Sequence, residues 1–305
     1  MSGCKVIVAM YQMNVDVLAL SKKVEIALGI LVENKIISRY RSVFRGKGLE
    51  FDGYRAYTTN DDSEMIDWKA TVRSKQTLVK QFQEERNLDV NFLIDVSSSM
   101  VFGSTSKLKS EYAAELVASL SNFILRSGDN VGLFMFKDRV SNVLPAGGGK
   151  NQFYMVMKTL VNKELYGGIY DLSNAINNII TSTKKKSLLF IVSDFIGLKS
   201  GWERSIKLAG GKFDVIGVMI RDPRDRELPR NVGQIVISDP YTGRTMLIDP
   251  DEIGDEYERL ARLDEERIRK GFINNNADFL KLVTDRPFVK PLVEFFRRRE
   301  ILLSQ

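Results

Sequence analysis

The chain has 305 residues, 44% of them hydrophobic and 28% charged, which is enough apolar material for one large domain or two modest ones. It has no histidine and one cysteine, Cys4, which excludes Ser-His-Asp and Cys-His catalysis, an internal disulfide and the usual zinc sites, and fits a reducing, cytoplasmic compartment. The net charge of +6 suits an acidic partner, a membrane surface or nucleic acid, but the positive residues are scattered, which argues against a nucleic-acid binder.

No apolar stretch approaches the ~20 residues that span a bilayer, and the N-terminus has no signal-peptide pattern. Residues 15–42 place Val24/Leu28 and Ala27/Leu31 at helical spacing, which predicts an amphipathic helix. The mixed stretches RGKGLEFDGYRAY, NDDSEMIDWKATVRS and TLVKQF predict loops and short strands beside a main sheet. From Asp89 the pattern alternates. Phe92-Leu93-Ile94 is an apolar run ending on Asp95, as in a buried parallel strand. A helix follows at about 106–126, with Leu108, Tyr112, Leu116 and Leu120 on one stripe and Ala113, Val117 and Ile124 beside it. FGSTSKLKS at 102–110 lacks the glycine and spacing of a phosphate loop, and its hydroxyls suit a helix start.

Further strands are predicted at 131–136, at 139–145 (an edge strand after a tight turn), at 187–195 and at 213–220, with a helix at about 170–181 between them. Such alternation predicts a doubly wound, mostly parallel sheet. QIVIS (234–238) and TMLID (245–249) flank the turn DPYTGR and predict a hairpin extending one sheet edge. The helix beginning at DPDEIGDEYERL puts Tyr257, Leu260, Ala261 and Ile268 on one side. ADFLKLV and PLVEFFRRRE predict further helices, the second closed by Arg297-Arg298-Arg299, where cations complement the helix dipole. The division expected is an N-terminal arm (1–88), an α/β domain (89–250) and a helical C-terminal region (251–305).

Open α/β sheets place ligands at the carboxyl ends of their strands. Asp95, Ser97 and Ser99 leave one such end and Ser193 and Asp194 another. The pattern D-x-S-x-S makes a hard-oxygen cluster suited to Mg²⁺ or a similar ion. Asp95 and Asp194 facing each other without a cation would repel. A divalent ion or a lysine would relieve this, and Lys107 and Lys109 are the nearest in sequence.

GKGLEFDGYRAY (46–57), DDSEMIDWKATVRS (61–74), LVKQFQEERNLDVNFLIDVSSSM (78–100), GDNVGLFMF (128–136), IVSDF (191–195), DVIGVMIRDPRDRELP (214–229) and DPYTGR (239–244) follow, in order, the pattern of the DUF58 family. From about residue 23 the chain resembles that family, whose members carry a von Willebrand A-like domain. The resemblance implies a Rossmann-like von Willebrand A fold and a non-enzymatic role beside MoxR-type AAA+ ATPases in chaperone-like maturation or assembly of other proteins. It also implies a metal-ion-dependent adhesion site. Asp95, Ser97 and Ser99 match its first segment and Asp194 its late aspartate, so that Mg²⁺ or another divalent cation would bridge to a partner carboxylate. The threonine of the third segment is replaced by Tyr170, with Asp171 beside it as a substitute donor. The family's Gly-Asp-Asp turn is Asn60-Asp61-Asp62 here, and asparagine tolerates a left-handed backbone.

In the arm, Asp67, Trp68, Lys69 and Arg73 alternate bulky and charged groups, with Glu84-Glu85-Arg86 as partners of opposite sign. These residues are expected to dock the arm onto the sheet through buried charge pairs under a tryptophan lid; the alternative is a partner-binding face. A Mg²⁺-dependent hydrolase or phosphotransferase using Asp95 and Asp194, and a basic nucleic-acid-binding protein, are the competing functions.

Overall fold

The computed structural model describes residues 20–23, 50–58, 61–83 and 87–303. Of the helix predicted over 15–42, only 20–23 fall within these; they are helical, and Leu20 is buried in the core. The remainder of that helix, the Glu84-Glu85-Arg86 group and Asn60 lie outside the described residues.

The arm is a small unit. Strand β1 (Glu50–Ala56) pairs antiparallel with β2 (Leu78–Gln83), and helix α1 (Trp68–Ser74) lies between them in sequence. Asp67 starts α1 by accepting from the Lys69 and Ala70 amides. The expected tryptophan lid does not form. No residue of α1 is buried, and Trp68 is 66% exposed. Seven residues give barely two turns, too short to bury one face while the polar side chains stay wet. Of the β2 side chains that are described, Val79 is buried.

The main sheet begins with β3 (Asp89–Asp95), followed by α2 (Lys109–Arg126), β4 (Asn130–Phe136) and β5 (Val140–Gly147). Next come α3 (Gly149–Leu160), α4 (Leu172–Ser182), β6 (Ser187–Ser193), α5 (Trp202–Gly210) and β7 (Phe213–Arg221). The chain continues through β8 (Ile235–Ser238), β9 (Thr245–Ile248), α6 (Pro250–Ile273), β10 (Asp278–Val283) and α7 (Val289–Leu303). The six-stranded order is β10-β7-β6-β3-β4-β5, parallel throughout except β5, which runs antiparallel on the edge beside β4. This is a Rossmann-like, doubly wound arrangement. From β3 the chain winds outward to β5, then returns to β6 on the other side, so the winding reverses between β3 and β6.

Helices cover both faces, which is why the central strands read as unbroken apolar runs. Val90, Phe92 and Ile94 of β3 join Leu188, Phe190 and Val192 of β6 under α2, α3 and α7. Leu93, Leu189 and Ile191 point the other way, under α4, α5 and α6. Each large side chain so buried contributes ~1.5–3 kcal/mol. Two approaches require glycine. A Cβ on Gly217 of β7 would lie 2.6 Å from the Phe272 ring, and one on Gly271 would run into Trp202, so α6 packs closely on β7 and on α5 only because these two positions are bare.

Several expectations are corrected. The helix predicted over 277–283 is instead strand β10, which supplies the sixth strand, so the sheet draws on chain beyond residue 250. Alternate burial of Leu280 and Leu282 beside β7 decides this short run, which periodicity alone cannot. The 234–249 hairpin forms, yet as a separate two-stranded sheet seated through Ile235 and Ile248 on Leu228 and Tyr257. In α6, Leu260 is 51% exposed; the buried face is Gly254, Glu265, Ile268 and Phe272. Helices α3 and α5 had no sequence expectation. Arg299 does more than complement a dipole, since it pairs with Asp214 and Asp278 and ties α7 to β7 and β10. Among the described residues no helix is long and apolar enough to cross a membrane.

Candidate functional site

The carboxyl ends of β3 and β6 meet where the winding reverses, and the residues there are almost wholly buried. Asp95 closes β3. Its Oδ1 accepts from the Ser97 amide at 2.8 Å and its Oδ2 from the Ser193 hydroxyl at 2.7 Å. Burial, and then the charge of Asp194, push the Asp95 carboxyl up to about 7, against the pull of those hydrogen bonds. Ser97 Oγ lies 3.3 Å from Ser99 Oγ, so the D-x-S-x-S oxygens do converge.

The loop ahead of α4 is stapled to this loop. Gly167 N donates to Val96 O (2.7 Å), Ser98 N to Gly168 O (3.0 Å), and Gly168 N to Ser98 Oγ (2.9 Å). Both glycines have positive φ, +93° and +114°, which the close approach exploits. The staple brings Tyr170 inward, and its hydroxyl lies 3.3 Å from Ser193 Oγ. Asp171 does not enter the cluster. It caps α4 by accepting from Asn174 N at 3.0 Å and pairs with Lys199 at 2.6 Å.

Asp194 faces a lysine. Lys109, the first residue of α2, is 1% exposed, and its Nζ lies 2.7 Å from Asp194 Oδ2 and 2.9 Å from Asp225 Oδ2. Burial alone would lower the Lys109 pKa, but Asp194 and Asp225 outweigh it and leave the ammonium raised above lysine's ordinary value. Asp194 Oδ1 accepts from Ile196 N, and Asp225 Oδ2 from Asp222 N. Asp222 in turn takes both the amide and the hydroxyl of Ser104. The 102–110 loop is thus bound to a carboxylate, the opposite of a phosphate cradle. Lys107, the other candidate, pairs with Glu115.

Tyr241 covers the cluster. The 239–244 turn is closed by Asp239, which accepts from the Tyr241 and Thr242 amides. From there the Tyr241 hydroxyl reaches 2.9 Å from Ser99 Oγ, 2.8 Å from Ile196 O and 3.4 Å from Ser97 Oγ. A carbonyl can only accept, so the Tyr241 proton goes to Ile196 O and Ser99 supplies its own. Sequence reading missed the roles of Tyr241 and Asp225; both lay inside blocks matched to the family, and the block match was their only signal.

Asp95, Ser97, Ser99, Ser193, Asp194 and Tyr170 are therefore brought together, whereas Asp67, Trp68, Lys69 and Arg73 sit at α1 of the arm. A resident divalent ion does not fit this donor set. Mg²⁺ demands near-octahedral oxygens, usually including carboxylates. Here the Lys109 ammonium already lies against Asp194, and the hydroxyl at the threonine position is that of Tyr170, held on Ser193.

The family model described as "Protein of unknown function DUF58" matches residues 53–267. The uncharacterized proteins Rv1480 of Mycobacterium tuberculosis and Mb1516 of Mycobacterium bovis are each 27% identical over 258 residues, covering 83% of this chain and 80% of theirs. Among solved structures, the conserved hypothetical protein BatB from Bacteroides thetaiotaomicron superposes with a TM-score of 0.46 at 15% identity, over 70% of this chain and 98% of that one. A von Willebrand factor type A structure from Catenulispora acidiphila gives a TM-score of 0.40 at 13% identity, over 73% of this chain and 43% of the other.

Proposed function

This chain belongs to the DUF58 family, and from that premise we propose that it is a non-enzymatic protein-interaction module whose docking point is the rim around Asp95, Ser97 and Ser99. One observation carries the reading. The oxygens of these residues gather at the reversal of the sheet winding, where α/β sheets engage ligands, and Tyr241 of a surface hairpin lies over them. The charged groups beside them are committed to internal partners, Asp194 and Asp225 to Lys109 and Asp222 to Ser104, which suits a docking surface better than a reaction centre. The partner we assign is a MoxR-type AAA+ ATPase, acting with this chain in maturation or assembly of a protein client. The compartment we assign is the cytoplasm, on the single cysteine. Docking exchanges the Tyr241 hydroxyl for a group of the partner.

The test is retention of the purified MoxR-type ATPase from the same genome on the immobilised chain. The Ser97→Ala/Ser99→Ala variant should lose most retention while its circular dichroism stays native and its melting temperature falls no further than the loss of two buried hydroxyls accounts for, about 1–3 kcal/mol. Equal retention by variant and wild type would remove the rim from the interface. Turnover of a phosphoester or nucleotide panel that Asp194→Asn abolishes would replace docking with catalysis. The exposure of Trp68 favours a second contact at Asp67, Trp68, Lys69 and Arg73, also for the ATPase. Trp68→Ala should then weaken retention with no loss of stability.

A further inference from the structure

Lysine is among the residues least often fully buried, and it is tolerated inside only when paired. Lys109 is inside, between the metal-motif aspartate Asp194 and Asp225, which contributes both oxygens at 2.9 and 3.2 Å. Its Nζ also lies 5.5 Å from the centre of the Phe102 ring. This ammonium cannot be incidental, because removing it leaves two carboxylates that are buried and close together. Its positive charge lies against Asp194, the carboxylate that the resemblance assigns to the metal motif. The tyrosine in the threonine's place, its hydroxyl held 3.3 Å from Ser193 Oγ, points the same way.

We propose that Lys109 is the resident cation of this rim, so that the rim works without a divalent ion and selects a hydrogen-bond donor from its partner instead of a carboxylate. Without a metal there is no open coordination position for a carboxylate to complete. What the rim offers once Tyr241 leaves is the Ile196 carbonyl, which can only accept, with the Ser97 and Ser99 hydroxyls beside it. An amide, ammonium or hydroxyl of a partner matches it, and the Tyr241 hydroxyl is the built-in example. The proposal deepens the docking reading, but its test reads ion binding with no partner present, so the two can fail separately.

The experiment titrates wild type and Lys109→Met with MgCl₂ and MnCl₂ by calorimetry and Mn²⁺ electron paramagnetic resonance, and measures melting temperature in chelator and in millimolar Mg²⁺. The wild type should bind neither ion at millimolar concentration and should melt identically in both buffers. Lys109→Met should melt lower in chelator, gain Mn²⁺ binding and recover part of the loss with the ion. Should the methionine variant not fold, Lys109→Gln replaces it, keeping a neutral donor toward Asp194. Submillimolar binding by wild type that Asp95→Ala abolishes would overturn the proposal. So would failure of the Lys109 variant to gain any ion binding, since the lysine would then not be what stands in the ion's place.

Discussion

Replacing Asp95 by asparagine keeps the shape of the side chain and removes its charge. The oxygen of the new side-chain amide would still accept from the Ser97 amide, and Ser193 Oγ could turn to accept from its nitrogen. In the wild type the Asp95 carboxyl goes from an ordinary 3.8 to about 7 on folding, because burial and Asp194 disfavour its ionised form. The folded state therefore holds this proton more tightly than the unfolded chain. The stabilisation is fully present below pH ~4 and is lost as pH rises to ~7, on the order of 4 kcal/mol at 1.36 kcal/mol per pH unit. For a domain of about 200 residues, at roughly 2–4 °C per kcal/mol, that is ~8–16 °C of melting temperature. Asp95→Asn should escape this loss. Urea and thermal unfolding at pH 5 and pH 8 should show the wild type losing stability relative to the variant at the higher pH. A gap between the two proteins that is the same at both pH values would refute the account of Asp95.

Other outcomes follow from packing. Gly217→Ala pushes a methyl into the Phe272 ring and should cost ~1–3 kcal/mol by urea unfolding, with Phe272→Ala in the same background relieving most of the clash. Phe272→Ala alone empties a site shared with Phe195, Trp202 and Phe279 and should cost ~3–5 kcal/mol. Tyr241→Phe leaves Ser99 and Ile196 without the phenol and should lower stability by ~1–3 kcal/mol in thermal unfolding. Trp68→Ala should leave stability within about 0.5 kcal/mol, because α1 buries nothing; a larger loss would restore the lid.

The parts legible in the sequence are those whose signal is local. Strands β3, β4, β6 and β7 show as unbroken apolar runs because helices shield both faces, and the α2 stripe from Leu108 to Leu120 is buried as its spacing predicts. Asp95, Ser97, Ser99 and Asp194 could be named because a strand end delivers them together. The rest depends on contacts distant in sequence. Lys109 meets Asp225 across 116 residues and Tyr241 meets Ser99 across 142, and no periodicity announces such pairs. The ADFLKLV run is ambiguous because seven residues suffice for either element, and only its neighbour β7 decides. Leu260 misleads for a related reason. Its apolar character suggests a core face, while α6 turns Phe272 inward and leaves Leu260 in water.

The three reciprocal hydrogen bonds joining Val96 and Ser98 to Gly167 and Gly168 bear on association kinetics. Two loops that could have wandered independently are ordered during folding, before any visitor arrives. An incoming surface then finds a stiff platform and forfeits little loop entropy on contact, so the departure of the Tyr241 hydroxyl is the step that should hold association below the ordinary orientation-limited rates of about 10⁵–10⁷ M⁻¹s⁻¹.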